Sequence, residues 1–165
     1  MRPASIIVLA TVGLLAAAHG FTRWTANTET GRAPDVRTPA PLSTGILTGT
    51  AYAIDGDTIR IEGGGKVRLQ GVAAPEGNEP GGTAATDFVK RLVNGKDVRC
   101  ELDGTRTYDR HVGVCFVGGR DIGEAVIAAG LARDCPRYSG GRYAGAETPE
   151  AMRLPFPGYC QTRAR

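Results

Sequence analysis

Aromatic rings, histidines and long apolar runs are all scarce in this chain. Phe, Trp and Tyr together make up 6% of the residues, against 24 glycines and 10 prolines. That balance argues against a helical bundle and for many turns and short strands. The longest apolar run, ASIIVLATVGLLAAA at residues 4–18, is shorter than the roughly 20 residues a membrane-spanning helix needs. With two histidines, four cysteines and no Cys-x-x-Cys pair, ligands at zinc spacing are missing. GGGKV lacks the hydroxyl residue after lysine and the spacing of a phosphate-binding P-loop. RYSGG is not the Gly-x-Ser-x-Gly nucleophile elbow. No internal repeat is evident. Neither sign of charge dominates: a net +3 is compatible with a polyanionic partner but too small to argue for one alone.

What remains is enough for one domain with appendages: 165 residues, 41% of them apolar. Arg2 is the only charge before the apolar run, which ends in Ala16-Ala17-Ala18, a small-x-small pattern. Residues 1–18 therefore read as an export signal, cleaved or kept as a short anchor. Removing them takes away one arginine and no acid. Residues 19–44 are rich in threonine, alanine and proline without apolar periodicity and read as a disordered leader. The folded domain is expected over residues 45–160, with QTRAR at 161–165 as a short basic tail. An exported product is periplasmic or secreted.

Export makes the cysteines legible. Cys100, Cys115, Cys135 and Cys160 can pair in three ways, and in an oxidising compartment two disulfides are expected. VRCEL and GVCFV read as two strands around DGTRTYDR, setting Cys100 opposite Cys115. The expected bridges are Cys100–Cys115 and Cys135–Cys160. Closing a loop of about 15 residues contributes roughly 3 kcal/mol in the chain-entropy model.

The order of elements narrows the fold. Residues 48–54, 58–62 and 67–72 read as strands, with EGGGK as the hairpin turn between the last two. In the third strand Val67 and Leu69 share one face, Arg68 and Gln70 the other. A helix is expected over residues 83–94, with Ala85, Phe88, Val89 and Leu92 at helical spacing and Asn94-Gly95 as its stop. Strands at 98–102 and 112–117 follow, then a helix at 122–129. This order is that of an α+β, mainly β protein: a five-stranded OB-fold barrel with two to three helices, an architecture that often handles nucleic acid.

IDGDTIRI, VRLQGVAAPE, RTYDRHVGVCFV and IGEAVIAAGLA, in this order and spacing, resemble the staphylococcal nuclease (thermonuclease) family over about residues 46–138. The resemblance implies a calcium-dependent phosphodiesterase acting on DNA and RNA. It implies that Arg68 and Arg110 bind phosphate, for which planar guanidinium forks are suited. It implies that Glu76 orients or deprotonates the attacking water, and that Asp57 and the backbone carbonyl of Ala74 are calcium ligands, hard oxygen donors being what calcium takes. Asp55 would support the turn or the outer shell. Tyr108 and Tyr138 fall near positions that stack on a nucleotide, ordinary packing being the competing role for Tyr138. His111 reads as a partly exposed strand histidine. No protein partner is called for, and a monomer is expected.

Two departures from the family pattern stand out. GVAAPE puts Ala73 where the family usually carries a second calcium-binding aspartate. One full charge beside a dication is missing, so calcium affinity should be weak. Pro149, Pro155 and Pro157 exclude the family's long closing helix and leave room for a short helical turn or two, pinned by the Cys135–Cys160 bridge. Three functions follow from a site depleted on its metal side: a nuclease with altered or weakened metal dependence, a nonhydrolytic nucleic-acid or phosphate-binding module, or an envelope interaction domain.

Overall fold

Among the described residues thirteen glycines take positive φ, as the composition anticipates, although two strands run to ten and twelve residues. The computed structural model describes residues 44–161. The expected export signal, the leader up to residue 43 and the tail beyond Gln161 lie outside the described residues. The elements are β1 (Thr44–Ala53), β2 (Thr58–Ile61), β3 (Gly65–Leu69), β4 (Val72–Ala73), α1 (Gly82–Val93), β5 (Lys96–Thr107), β6 (Arg110–Val117), β7 (Arg120–Asp121), α2 (Ile122–Ala128), β8 (Arg133–Asp134), α3 (Pro136–Ser139) and α4 (Pro149–Met152). Strands pair in the order β3-β2-β1-β5-β6-β7, and a parallel pairing of β3 with β6 closes the first five into a barrel. This is the expected OB-type barrel, with β7 as an added edge strand. β4 and β8 form a separate two-stranded ladder.

Alternation fills the barrel. Ile59 and Ile61 of β2 and Val67 and Leu69 of β3 are buried, while Arg60 between the isoleucines is exposed. Each such apolar side chain contributes about 1.5–3 kcal/mol on full burial. Helix α1 adds Ala85, Val89 and Val93, with Phe88 and Leu92 half-buried at the rim. The helix presents its i, i+4, i+8 line to the barrel, one step round from the stripe the sequence suggested. Asn94 ends it and accepts a hydrogen bond from Ala53 N at 2.8 Å, tying the helix to β1.

The strand boundaries differ in two places. The expected third strand breaks after Leu69, because Gly71 turns the chain at φ 72° and sends Val72 and Ala73 to pair with Asp134 and Arg133. The segment DGTRTYDR is largely strand: β5 continues to Thr107, and only Tyr108 and Asp109 form the hairpin tip. Asp103 and Gly104 make a bulge instead of a reversal. The Asp103 carboxylate accepts from both the backbone N–H and the hydroxyl of Thr105 at 2.7 Å, so the ladder resumes after an irregularity between Leu102 and Arg106.

Both expected disulfides are present, Cys100–Cys115 across the β5–β6 ladder and Cys135–Cys160 in the C-terminal region. Among the described residues there are four α-helical segments, two of them only four residues long. In place of a long closing helix, the C-terminal segment runs as a strap. Arg133 holds it through Glu147 (2.7 Å) and the carbonyls of Met152 (3.3 Å) and Leu154 (3.2 Å), with its guanidinium over the Phe156 ring. The Cys135–Cys160 bridge fastens its end.

One close approach positions the loop that carries Glu76. A Cβ on Gly82 would overlap the Glu76 carbonyl, so only glycine lets the start of α1 nest under that loop. An ordinary helical Gly→Ala change gains roughly 0.5–1 kcal/mol. Gly82→Ala should instead lose about 1–3 kcal/mol through overpacking, read as a lower midpoint in urea unfolding. A raised midpoint would contradict this packing.

Candidate functional site

The stretch IDGDT folds as a tight turn between β1 and β2. Asp55 accepts from Asp57 N at 2.9 Å, an Asx turn, and the N–H groups of Ile54 and Asp55 both donate to Thr58 O. Leu69 N donates to Asp57 O at 2.8 Å, locking the turn to the end of β3. Gly56 is packed so tightly that a Cβ there would lie 2.6 Å from the Ala74 methyl and 2.7 Å from that of Ala85. Turn, β3 end and the Ala73-Ala74 segment are thus one rigid unit.

Inside this unit the Asp57 side chain is 4% exposed. Its Oδ1 is ion-paired with Arg68 Nη1 and accepts from the Thr58 hydroxyl at 3.1 Å; its Oδ2 accepts from Ala74 N at 3.3 Å. Arg68 also donates through Nη2 to Val72 O at 3.2 Å. Arg110, at the start of β6, donates to the Thr58 hydroxyl oxygen at 3.1 Å. Thr58 therefore links the two arginines through Asp57. Burial holds the Arg68 guanidinium below the ordinary arginine value; Tyr159 pulls it back, Arg110 pushes it down, and Asp55 and Glu76 pull it up. An arginine stays charged regardless.

Arg68 and Arg110 open into one groove of about 760 Å³ that is also lined by Glu76, Arg106, Tyr108, Tyr138 and Tyr159. Glu76 is exposed, and its backbone N–H is held by Glu79 Oε2 at 2.8 Å. Tyr108 stands at the hairpin tip with φ 55° and 92% exposure, a conformation that costs a non-glycine residue of order 1 kcal/mol or more. Tyr138, half-exposed, stacks under the Arg137 guanidinium at 5.5 Å. His111 is half-buried against Arg106 Nη1 at 3.3 Å, and burial followed by Arg106 keeps it below the ordinary imidazole range.

The donor set does not fit a tight calcium site. Calcium takes six to eight oxygens, and among the described residues no three His, Cys, Asp or Glu side chains gather as a metal-binding group. Asp57 uses three acceptor positions of about four within the protein. Ala73 is buried, and its methyl packs with Cys135 and Cys160. An aspartate at this position would bring its charge against a disulfide.

Two residues of the arrangement were not anticipated, the buried Thr58 beneath the arginines and Tyr159 in the groove wall. Thr58 bridges the arginines, and nothing in DGDT distinguishes its hydroxyl from an ordinary strand threonine. Tyr159 had a usable signal: it precedes Cys160, and the bridge to Cys135 brings it beside Tyr138.

The family model described as Staphylococcal nuclease homologue matches residues 66–151, just over half the chain. The chain belongs to the staphylococcal nuclease family. Two relatives are similar to this member. The succinoglycan biosynthesis protein ExoI of Rhizobium meliloti is 34% identical over 113 residues, covering 61% of this chain and 59% of the relative. The thermonuclease of Staphylococcus hyicus is 35% identical over 91 residues, covering 48% and 54%. The chain thus spans between half and three-fifths of the length of these curated relatives.

The ion pair between the turn and β3 gives the first test of this geometry. Asp57→Asn keeps the size but removes the charge facing Arg68. Breaking a buried pair costs roughly 3–5 kcal/mol, and because Arg68 retains 19% exposure the lower end applies. Chemical denaturation should show that loss. A loss under about 1 kcal/mol, typical of a surface pair, would mean Arg68 is not held there.

Proposed function

We propose that this chain is an exported phosphodiesterase of the staphylococcal nuclease family, hydrolysing DNA or RNA with weakened divalent-metal dependence. The observation that carries the reading is the convergence of Arg68 and Arg110 on one groove through the Asp57–Thr58 link. Two guanidinium forks from different strands give a phosphodiester bidentate donors and neutralise charge that grows on phosphorus oxygens in the transition state. Glu76 lines the same groove and takes the proton of the attacking water as the bond to the leaving oxygen breaks. Tyr108 and Tyr138 face bases. Any calcium would rest on Asp57, the Ala74 carbonyl and water, and would bind weakly. Two disulfides in one small domain accord with an oxidising compartment, and the apolar segment at residues 4–18 supplies the export signal or anchor.

A second reading has its own support. The carboxylate that resembles a calcium ligand is spent on Arg68, which leaves a phosphate-binding groove intact and the hydrolytic half depleted. On that reading the chain binds nucleic acid without cutting it. The names of the two relatives concern different processes.

Cleavage of labelled single-stranded DNA and RNA by the purified chain, with calcium, manganese or chelator, separates the readings. The nuclease reading expects cleavage that calcium half-saturates only above about 1 mM, and a fall of about 10²- to 10³-fold in Arg68→Ala. Micromolar calcium saturation contradicts the weak-metal claim. No cleavage, with binding that weakens as salt rises, leaves the binding module. Ala73→Asp sharpens the point: it should lower stability by about 1–3 kcal/mol as a poorly compensated buried polar group, without tightening calcium binding by calorimetry. A gain in calcium affinity would show that the donor geometry survives.

A further inference from the structure

The chain has five tyrosines, and their surroundings sort them. Tyr143 is buried, its hydroxyl near Asp121, and Tyr52 packs under Arg60. Tyr108, Tyr138 and Tyr159 all line the groove that holds Arg68 and Arg110. Tyr159 comes from the C-terminal strap, not from the barrel. Its main chain is fixed from several sides: Cys160 is bridged to Cys135, Cys160 N donates to Pro157 O at 2.9 Å, and Arg137 Nη1 donates to Tyr159 O at 3.5 Å. The residue is nonetheless 51% exposed. A residue so constrained in its backbone and left half in water is a pre-organised platform, since little order remains to be lost when a flat ligand lands on it.

Deepening the nucleic-acid reading, on which it rests, we infer that Tyr159 is a nucleobase-stacking residue held at the groove by the Cys135–Cys160 bridge. Arginines that hold phosphates beside aromatic faces are the means by which single strands are bound without sequence preference. Arg137 fits the same arrangement: it stacks on Tyr138 and reaches the Tyr159 carbonyl at 3.5 Å, and both tyrosines line the groove. The barrel side grips the backbone. The strap side meets the base.

The test compares two probes on the purified full chain in chelator: a thymidine tetranucleotide and an abasic tetramer with the same phosphates, each read by fluorescence anisotropy. Tyr159→Ala should weaken the thymidine tetramer by roughly 5- to 150-fold, the range that removing a stacking residue gives. The abasic tetramer should move by less than about twofold, and Tyr159→Phe should keep both within about twofold, because a base stacks on either ring. Arg68→Ala should weaken both probes. If Tyr159→Ala leaves thymidine binding unchanged, or weakens both probes alike, the stacking assignment is wrong while the arginine groove stands. If the unaltered chain binds neither probe, the nucleic-acid reading fails and the assignment falls with it.

Discussion

A single buried carboxylate organises this molecule. Asp57, 4% exposed, is met by the Arg68 guanidinium, the Thr58 hydroxyl and the Ala74 N–H. Such a charge is tolerated only when paired and hydrogen-bonded. Its partners therefore come from three segments that the barrel must bring together: the start of β2, strand β3, and the Ala73-Ala74 segment. Arg110 joins from β6 through Thr58, which the parallel β3–β6 closure makes reachable. A buried pair contributes little net stability against a well-packed apolar alternative. Its value here is positional, because it fixes one guanidinium beside a second.

The same contacts bear on the metal. In a site with two aspartates facing a cation, Arg68 and the metal would divide the negative charge between them. Here one carboxylate remains and the arginine takes it. Ala73 closes the other position against the Cys135–Cys160 bridge. Ala73, the bridge and the proline-rich strap thus meet in one place: the Ala73 side chain packs with Cys135 and Cys160, and Arg133 and the disulfide secure the strap.

Much of this was legible in residue patterns. The alternation in TIRI and KVRL, the glycine turn between them and the helical stripe from Ala85 locate the barrel and the face bearing Arg68, because side-chain period and burial are local properties. The Cys100–Cys115 pairing followed from two strands in register. Less legible were features set by long-range contacts. The break at Gly71 depends on pairing with Asp134, sixty-odd residues away. The continuation of β5 through DGTRT depends on Asp103 capping a bulge, where a turn was the local expectation. The engagement of Asp57 by Arg68 depends on rotamers that no spacing encodes.

The central claim is that Arg68 and Arg110 act as one phosphate-binding unit. A double-mutant cycle measures this directly: calorimetric affinity of a nucleoside 3′,5′-bisphosphate, in chelator, for the unaltered chain, Arg68→Ala, Arg110→Ala and the pair. The account predicts strong non-additivity, a coupling of about 1 kcal/mol or more, as for residues sharing one network. Effects that sum within about 0.3 kcal/mol, as for independent sites, would contradict it.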